Sequence, residues 1–178
     1  MFHRSERLLL RPIWPEDWRG IFSGIADECV VRNLARAPWP YHESDAREFA
    51  AQPLDCASTK CLITRAADAA IVGCIGLDPM AEEDIELGYW IARPYWGQGY
   101  ASEAGHSALE IARTLGHGRI VASHFLDNPA SGRVLEKLGF VPTGRTLMRH
   151  SLGRGTKAMT REYSLQMGGA EIAQKAAA

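Results

Sequence analysis

Within this 178-residue chain the segment Trp96-Gly97-Gln98-Gly99-Tyr100-Ala101 has the residue types that most narrow its chemistry. The apolar run Glu86-Leu87-Gly88-Tyr89-Trp90-Ile91 before it reads as a strand, and Ser102 to Leu115 after it reads as a helix. A glycine-rich turn between a strand and a helix aims several backbone N–H groups at one point. The helix N-terminus adds its partial positive charge there. Such a loop can hold a pyrophosphate, so the expected ligand is a phosphorylated cofactor.

Spacing narrows the choice of cofactor. A P-loop carries Lys-Ser/Thr after its last glycine, whereas Tyr100-Ala101 follows Gly99. The dinucleotide fingerprint G-x-G-x-x-G/A fails at its third place, which is Ser102, and it belongs after a first strand rather than in mid-chain. A nucleotide-binding regulatory domain, which would take ATP or NAD, is therefore disfavoured.

The segment resembles the acetyl-CoA loop of the GNAT N-acetyltransferases, Q/R-x-x-G-x-G/A, and reads here Trp96-x-x-Gly99-x-Ala101, with Trp in the first position. Tyr-Trp-Gly-x-Gly-Tyr-Ala resembles the branch that includes the RimJ and RimL ribosomal-protein N-terminal acetyltransferases. A second run, Asn128-Pro129-Ala130-Ser131 followed by Leu135-Glu136-Lys137-Leu138-Gly139-Phe140, resembles the second cofactor segment of the same family. The resemblance covers roughly residues 6 to 166.

Acetyl transfer from a thioester to an amine needs a gripped cofactor, a polarised carbonyl, a deprotonated amine and a protonated leaving thiolate. The resemblance implies acetyl-CoA as cofactor, held by Trp96 and the backbone amides of Gly97, Gln98, Gly99, Tyr100 and Ala101. It implies that the backbone of Tyr89, Trp90 and Ile91 pairs with pantetheine amides. Asn128 would hold a further pantetheine amide, and Ser131 would hydrogen-bond the leaving sulfur. Both also suit the start of a helix, Asn128 as its N-cap and Ser131 in its first turn, and the two roles can coexist. Glu86 is the candidate base, directly or through a water; it also reads as a surface acid following Glu82-Glu83-Asp84.

The acceptor implied is a primary amine, on a protein N-terminus or a small molecule. Trp39, Tyr41 and the Arg145 to Lys157 loop are expected to line its pocket, and Arg145, Arg149 and Arg154 could favour an acidic acceptor. A non-catalytic acyl-CoA-binding module with the same fold is the alternative. Many relatives are dimers, so a homodimer is an open expectation.

These residues require a particular set of elements. Arg7 to Arg11 is a short strand ended by Pro12, and Pro15-Glu16-Asp17-Trp18 starts a helix running to about Cys29. Ser44 is expected to cap a second helix that ends near Pro53. Lys60 to Arg65 and Ala70 to Leu77 read as a hairpin rich in Ile and Val, with Pro79 to Asp84 an acidic turn before the strand at Glu86. In the helix after the loop Ala104, Ala108, Ile111 and Leu115 recur as one buried stripe. Ile120-Val121-Ala122 is a short strand, Asn128 to Leu138 a helix closed by Gly139, and further strands begin at Phe140-Val141 and near Met159 to Leu165. Early hairpins and late β-α-β units predict an α/β fold with helices on both faces of a mixed sheet. The resemblance makes this the GNAT fold, mostly antiparallel, with a splayed pair of central strands receiving the pantetheine arm. One domain is expected over 1–167, with a flexible tail over 168–178.

Composition sets the remaining bounds. Twenty Lys plus Arg against 21 Asp plus Glu give a formal net charge of −1, which disfavours nucleic-acid binding by bulk electrostatics. Arg145, Arg149, Arg154, Lys157 and Arg161 form a local basic cluster, read most simply as a solvated hairpin. Of the four cysteines, Cys61 and Cys74 sit in strand-like runs as small core residues, and none forms C-x-x-C. The six histidines lack metal-ligand spacing. The polar N-terminus and the lack of any apolar run near ~20 residues predict no membrane span and a cytoplasmic location with reduced thiols.

Overall fold

The computed structural model describes residues 1–53, 59–80 and 84–168. Cys56, the middle of the expected Pro79–Asp84 turn and the expected tail beyond residue 168 lie outside those residues.

The first strand β1 (His3–Arg4) was not expected; it pairs antiparallel with β2 (Leu8–Arg11), whose Leu8 and Leu10 are fully buried. A single-turn 3-10 segment then leads into α1 (Trp18–Ile25), and α2 (Glu28–Val31) follows. The expected continuous helix to Cys29 is thus broken. Asp27 is extended, and its carboxylate accepts from the Cys29 N–H at 2.8 Å, which starts a new helix. Helix α3 spans Glu43–Ala50. Its N-cap is His42 rather than Ser44, because Asp45 reaches back to accept from the His42 N–H at 2.7 Å.

Strands β3 (Thr59–Arg65), β4 (Ile71–Pro79) and β5 (Ile85–Ile91) form an antiparallel meander. The glycine loop leads into α4 (Tyr100–Thr114), which crosses to β6 (Arg119–Phe125), parallel to β5. Helix α5 (Pro129–Lys137) leads to the hairpin β7 (Val141–Ser151) and β8 (Thr156–Gln166). The eight strands lie in the order β1-β2-β3-β4-β5-β6-β8-β7, antiparallel except at β5–β6. This is the expected GNAT fold.

Two apolar layers cover the sheet. Leu8, Leu10, Ile63, Ile75, Leu87, Ile120 and Ala122 pack against α4 and α5, while Leu62, Cys74 and Trp90 pack against α1, α2 and α3. Cys61 and Cys74 are buried in these layers; burial pushes the Cys74 thiol up to about 12, so it stays protonated and inert. On α4 the buried stripe is Tyr100, Ala104, Ala108 and Ile111. Leu115 departs from the expectation at 44% exposure, because the helix ends at Thr114 and the chain turns off through Gly116 at φ 78°. Gly105 lets α4 and α5 approach: a Cβ there would lie 2.4 Å from Leu138 Cδ1. Gly139, at φ 89°, ends α5 as expected.

Candidate active site

The loop is shaped from behind. Trp96 Nε1 donates to Ile91 O at 2.7 Å and Gln98 Nε2 donates to Pro94 O at 2.9 Å, pinning it to the end of β5. Gly97 at φ 73° and Gly99 at φ 81° occupy the left-handed region, where a side chain would be strained. Arg7 Nη1 donates to Gln98 O at 3.1 Å. A trans peptide points its carbonyl and the next N–H in opposite directions, so the Gly99 N–H is turned away from Arg7. None of the N–H groups from Gly97 to Ser102 finds an acceptor among the described residues. That is the donor set an anion needs at a helix N-terminus.

Arg7 is itself held. Its backbone N–H and Nε reach Glu103 at 2.8 and 2.7 Å, Ser5 Oγ reaches Glu103 at 2.7 Å, and its guanidinium lies 4.6 Å from the Tyr100 ring centroid. Burial pushes the Glu103 carboxyl up, but the bonds from Ser5 and Arg7 outweigh it and hold it below the usual carboxylate range.

The sheet opens beside this loop. Strands β5 and β6 pair only at Ile85↔Ile120 and Glu86↔Val121, and from Leu87 on the facing edge of β5 has no strand partner among the described residues. Ala92 N donates to Val72 O at 2.8 Å. Alternation along the β4–β5 register then turns the backbone groups of Trp90, Gly88 and Glu86 to β4, and those of Leu87, Tyr89 and Ile91 to the opening. Of the three positions expected to pair with pantetheine, Tyr89 and Ile91 face the opening, although the Ile91 carbonyl is taken by Trp96. The backbone edge of Trp90, in contrast, belongs to the β4 ladder.

Helix α5 forms the far wall. Asn128 is its N-cap, with Oδ1 accepting from the Ser131 N–H at 3.4 Å, and its side-chain NH2 has no partner among the described residues. Ser131 Oγ lies 2.9 Å from Tyr89 OH, a bond that joins α5 to β5. Arg133 and Lys137 line the same cleft, with no carboxylate at ion-pair distance among the described residues. The cleft has a volume of about 1720 Å³ and runs from the glycine loop through the opening to the face covered by α1, α2 and α3.

Glu86 emerges on that second face, with its side chain 14% exposed. Arg149 of β7 donates from Nη1 to Glu86 Oε1 and, at 3.0 Å, to Ser123 Oγ on β6. Arg149 is a strand residue because β7 runs on to Ser151, past the point where a loop was expected. The hairpin tip docks on the segment after α2: Ser151 Oγ donates to Leu34 O at 2.6 Å, Leu152 N to Ala35 O at 2.9 Å, and Arg154 Nε to Arg32 O at 2.6 Å. Arg154 also grips Asp127 with two bonds of 2.8 Å and stacks on Phe125 at 4.4 Å. Tyr41 is buried and lines the cleft; burial, with Asp45, Cys74 and Glu48 nearby, pushes its phenol up to about 12. Trp39, expected in this lining, lies outside it and is 41% exposed.

The basic cluster read from the sequence is largely neutralised. Arg145, Arg149 and Arg154 each meet a carboxylate, from Glu162, Glu86 and Asp127 respectively. They are not a free cationic site for an acidic acceptor. Sequence reasoning missed the Glu86–Arg149 and Tyr89–Ser131 pairs, since neither follows from local periodicity.

A family model described as acetyltransferase (GNAT) domain matches residues 7–141. An uncharacterized N-acetyltransferase, YoaA, of Bacillus subtilis (strain 168) is 31% identical over 167 residues, covering 90% of this chain and 94% of that protein. A GNAT-family acetyltransferase from Bacillus anthracis superposes with a TM-score of 0.82 at 24% identity, covering 93% of this chain and 98% of that one. The ribosomal L7/L12 α-N-protein acetyltransferase RimL, solved in complex with coenzyme A, superposes with a TM-score of 0.79 at 16% identity over 93% of this chain and 98% of that one. At these identities the two solved structures carry the fold alone.

Proposed function

Because this chain belongs to the GNAT acetyltransferase family, we propose that it moves the acetyl group of acetyl-CoA to a primary amine with both substrates bound together. The observation that carries the proposal is the break in the sheet. The β5–β6 ladder ends at Glu86, the starts of α4 and α5 flank the opening on one face, and Glu86 stands on the other. The two reactants then approach from opposite faces and meet in the gap.

When bound, acetyl-CoA supplies an activated acetyl thioester. The free N–H groups of Gly97 to Ser102 hold its pyrophosphate, and Arg133 and Lys137 add positive charge along the same wall. The opening-facing edges of Tyr89 and Ile91, together with the Asn128 amide, orient the pantetheine arm. Glu86, positioned by its bond from Arg149, takes the amine proton through an intervening water. Ser131 donates a hydrogen bond to the sulfur as the C–S bond breaks.

The Tyr95 to Ala101 motif, which resembles the RimJ and RimL branch, supports a protein N-terminus as acceptor. The Glu86–Arg149 ion pair favours one second reading, a non-catalytic acyl-CoA-binding module, because the pair leaves the candidate base already engaged.

Calorimetric titration with acetyl-CoA, with CoA, ATP and NAD as comparisons, tests the cofactor. Free-thiol release with N-terminal peptides and small amines then tests turnover. Micromolar acetyl-CoA binding with thiol release supports the enzyme; binding without release under any acceptor supports the module. A folded protein that ignores acetyl-CoA overturns both.

A further inference from the structure

We propose that the Tyr89 hydroxyl is a positioning group for Ser131, fixing the direction of the serine proton toward the sulfur of a coenzyme A thioester. This rests on the acetyl-transfer reading above. Ser131 Oγ is placed by the α5 N-terminus, where the Ser131 N–H is held by both the backbone and side-chain oxygens of Asn128. Its hydroxyl hydrogen, however, rotates freely unless a neighbour selects one orientation. The Tyr89 OH, 2.9 Å away, is the neighbour that does so.

Three features make Tyr89 the donor of this bond. A phenol is a stronger hydrogen-bond donor than an aliphatic alcohol. Burial pushes the Tyr89 phenol up, with the Ser131 bond pulling the other way, so the hydroxyl keeps its proton across the working range. The ring packs against the α4–α5 layer, which leaves the hydroxyl on a rigid stem. A serine oxygen that accepts from Tyr89 has its own proton free to give elsewhere. Tyr89 sits three residues beyond the last β5–β6 pair, in the opening where the thioester must pass, so that proton is offered within the opening.

The test is titration of the thiol of bound coenzyme A, followed by ultraviolet absorption of the thiolate against protein alone, in wild type, Tyr89→Phe, Ser131→Ala and the double variant. It needs no acceptor. A hydrogen bond given to the thiolate favours the charged form and lowers the thiol pKa. Tyr89→Phe keeps the ring and removes only the hydroxyl. Its bound thiol should titrate about half a unit to one unit higher than in wild type. In the Ser131→Ala background the same change should add nothing, because Tyr89 acts through the serine.

An unchanged thiol pKa in Tyr89→Phe overturns the proposal, as does an equal shift with Ser131 absent. Loss of coenzyme A affinity by more than about tenfold in Tyr89→Phe, a cost beyond a single neutral hydrogen bond, also overturns it, since the hydroxyl would then be gripping the cofactor. Failure of wild type to bind coenzyme A in calorimetry is a different result: it removes the acetyl-transfer reading, and this proposal with it.

Discussion

Arg149, on the outer hairpin strand, places its guanidinium between Glu86 of β5 and Ser123 of β6, tying together the two strands that have parted. The pair couples the candidate base to the outer hairpin, so the placement of the Glu86 carboxylate depends on three strands rather than one.

Glu86→Gln is expected to lower turnover by about 10²-fold while leaving acetyl-CoA affinity nearly intact. Thiol-release kinetics alongside calorimetry read both quantities. Wild-type turnover with a true acceptor would remove Glu86 as the base.

The same pair should be visible in stability. A cycle of Glu86→Gln, Arg149→Ala and the double variant, followed by urea unfolding, should give a coupling on the order of 1 kcal/mol, since both side chains are partly exposed. Additive effects would mean that the bond carries no net energy in solution.

Ala101→Glu sets a carboxylate and its bulk at the first turn of α4, among the free N–H groups. Coenzyme A binding should be lost while the unfolding midpoint stays close to wild type. Unchanged affinity in calorimetry would mean that the phosphates bind elsewhere.

Gly73→Ala has no room, because the new Cβ would stand 2.1 Å from the Trp90 carbonyl oxygen, which is backbone and cannot swing aside. A cost of about 3 kcal/mol is expected in denaturant unfolding. A neutral result would show that β4 and β5 can part at this point.

Stability should fall in acid for a traceable reason. Glu103 and Asp127 both have folded pKa values below their ordinary ranges, Glu103 through Ser5 and Arg7 despite burial, and Asp127 first through the Arg154 bond. For a carboxyl lowered on folding, the contribution is complete above the unfolded pKa and is lost as pH falls through the folded one. The melting temperature should therefore decline below about pH 4, where ordinary carboxyls begin to protonate. The decline should be shallower in Glu103→Gln, which starts from a lower plateau.

The parts of this fold legible in the sequence are those decided locally. Gly97 and Gly99 announce a turn because only glycine takes their φ cheaply, and Asn128 announces α5 because its side chain can cap. The apolar run Lys60 to Arg65 and its Ile- and Val-rich partner Ala70 to Leu77 give the hairpin. The break at Asp27 was hidden because an Asp inside a helical run does not disclose that it will cap the next turn. Ser44 lost the cap to His42 because Asp45 reached back to the His42 N–H, a choice between adjacent candidates. The neutralised arginines and the Tyr89–Ser131 bond depend on partners from 17 to 63 residues away in the chain, and no window of local pattern contains both ends.

Seen as a mechanical object, the sheet is two slabs, β1 to β5 and β6 to β8, whose ladders meet along one seam at two residue pairs, with the Arg149 and hairpin-tip bonds as further ties. Shear along that seam would change the width of the slot between the parted strands. The slot's gauge is then set by spacers outside it, such as the close fit of Leu138 over Gly105, where the two flanking helices meet. A ligand seated in the slot would serve as a splint, replacing the rungs that the strands gave up.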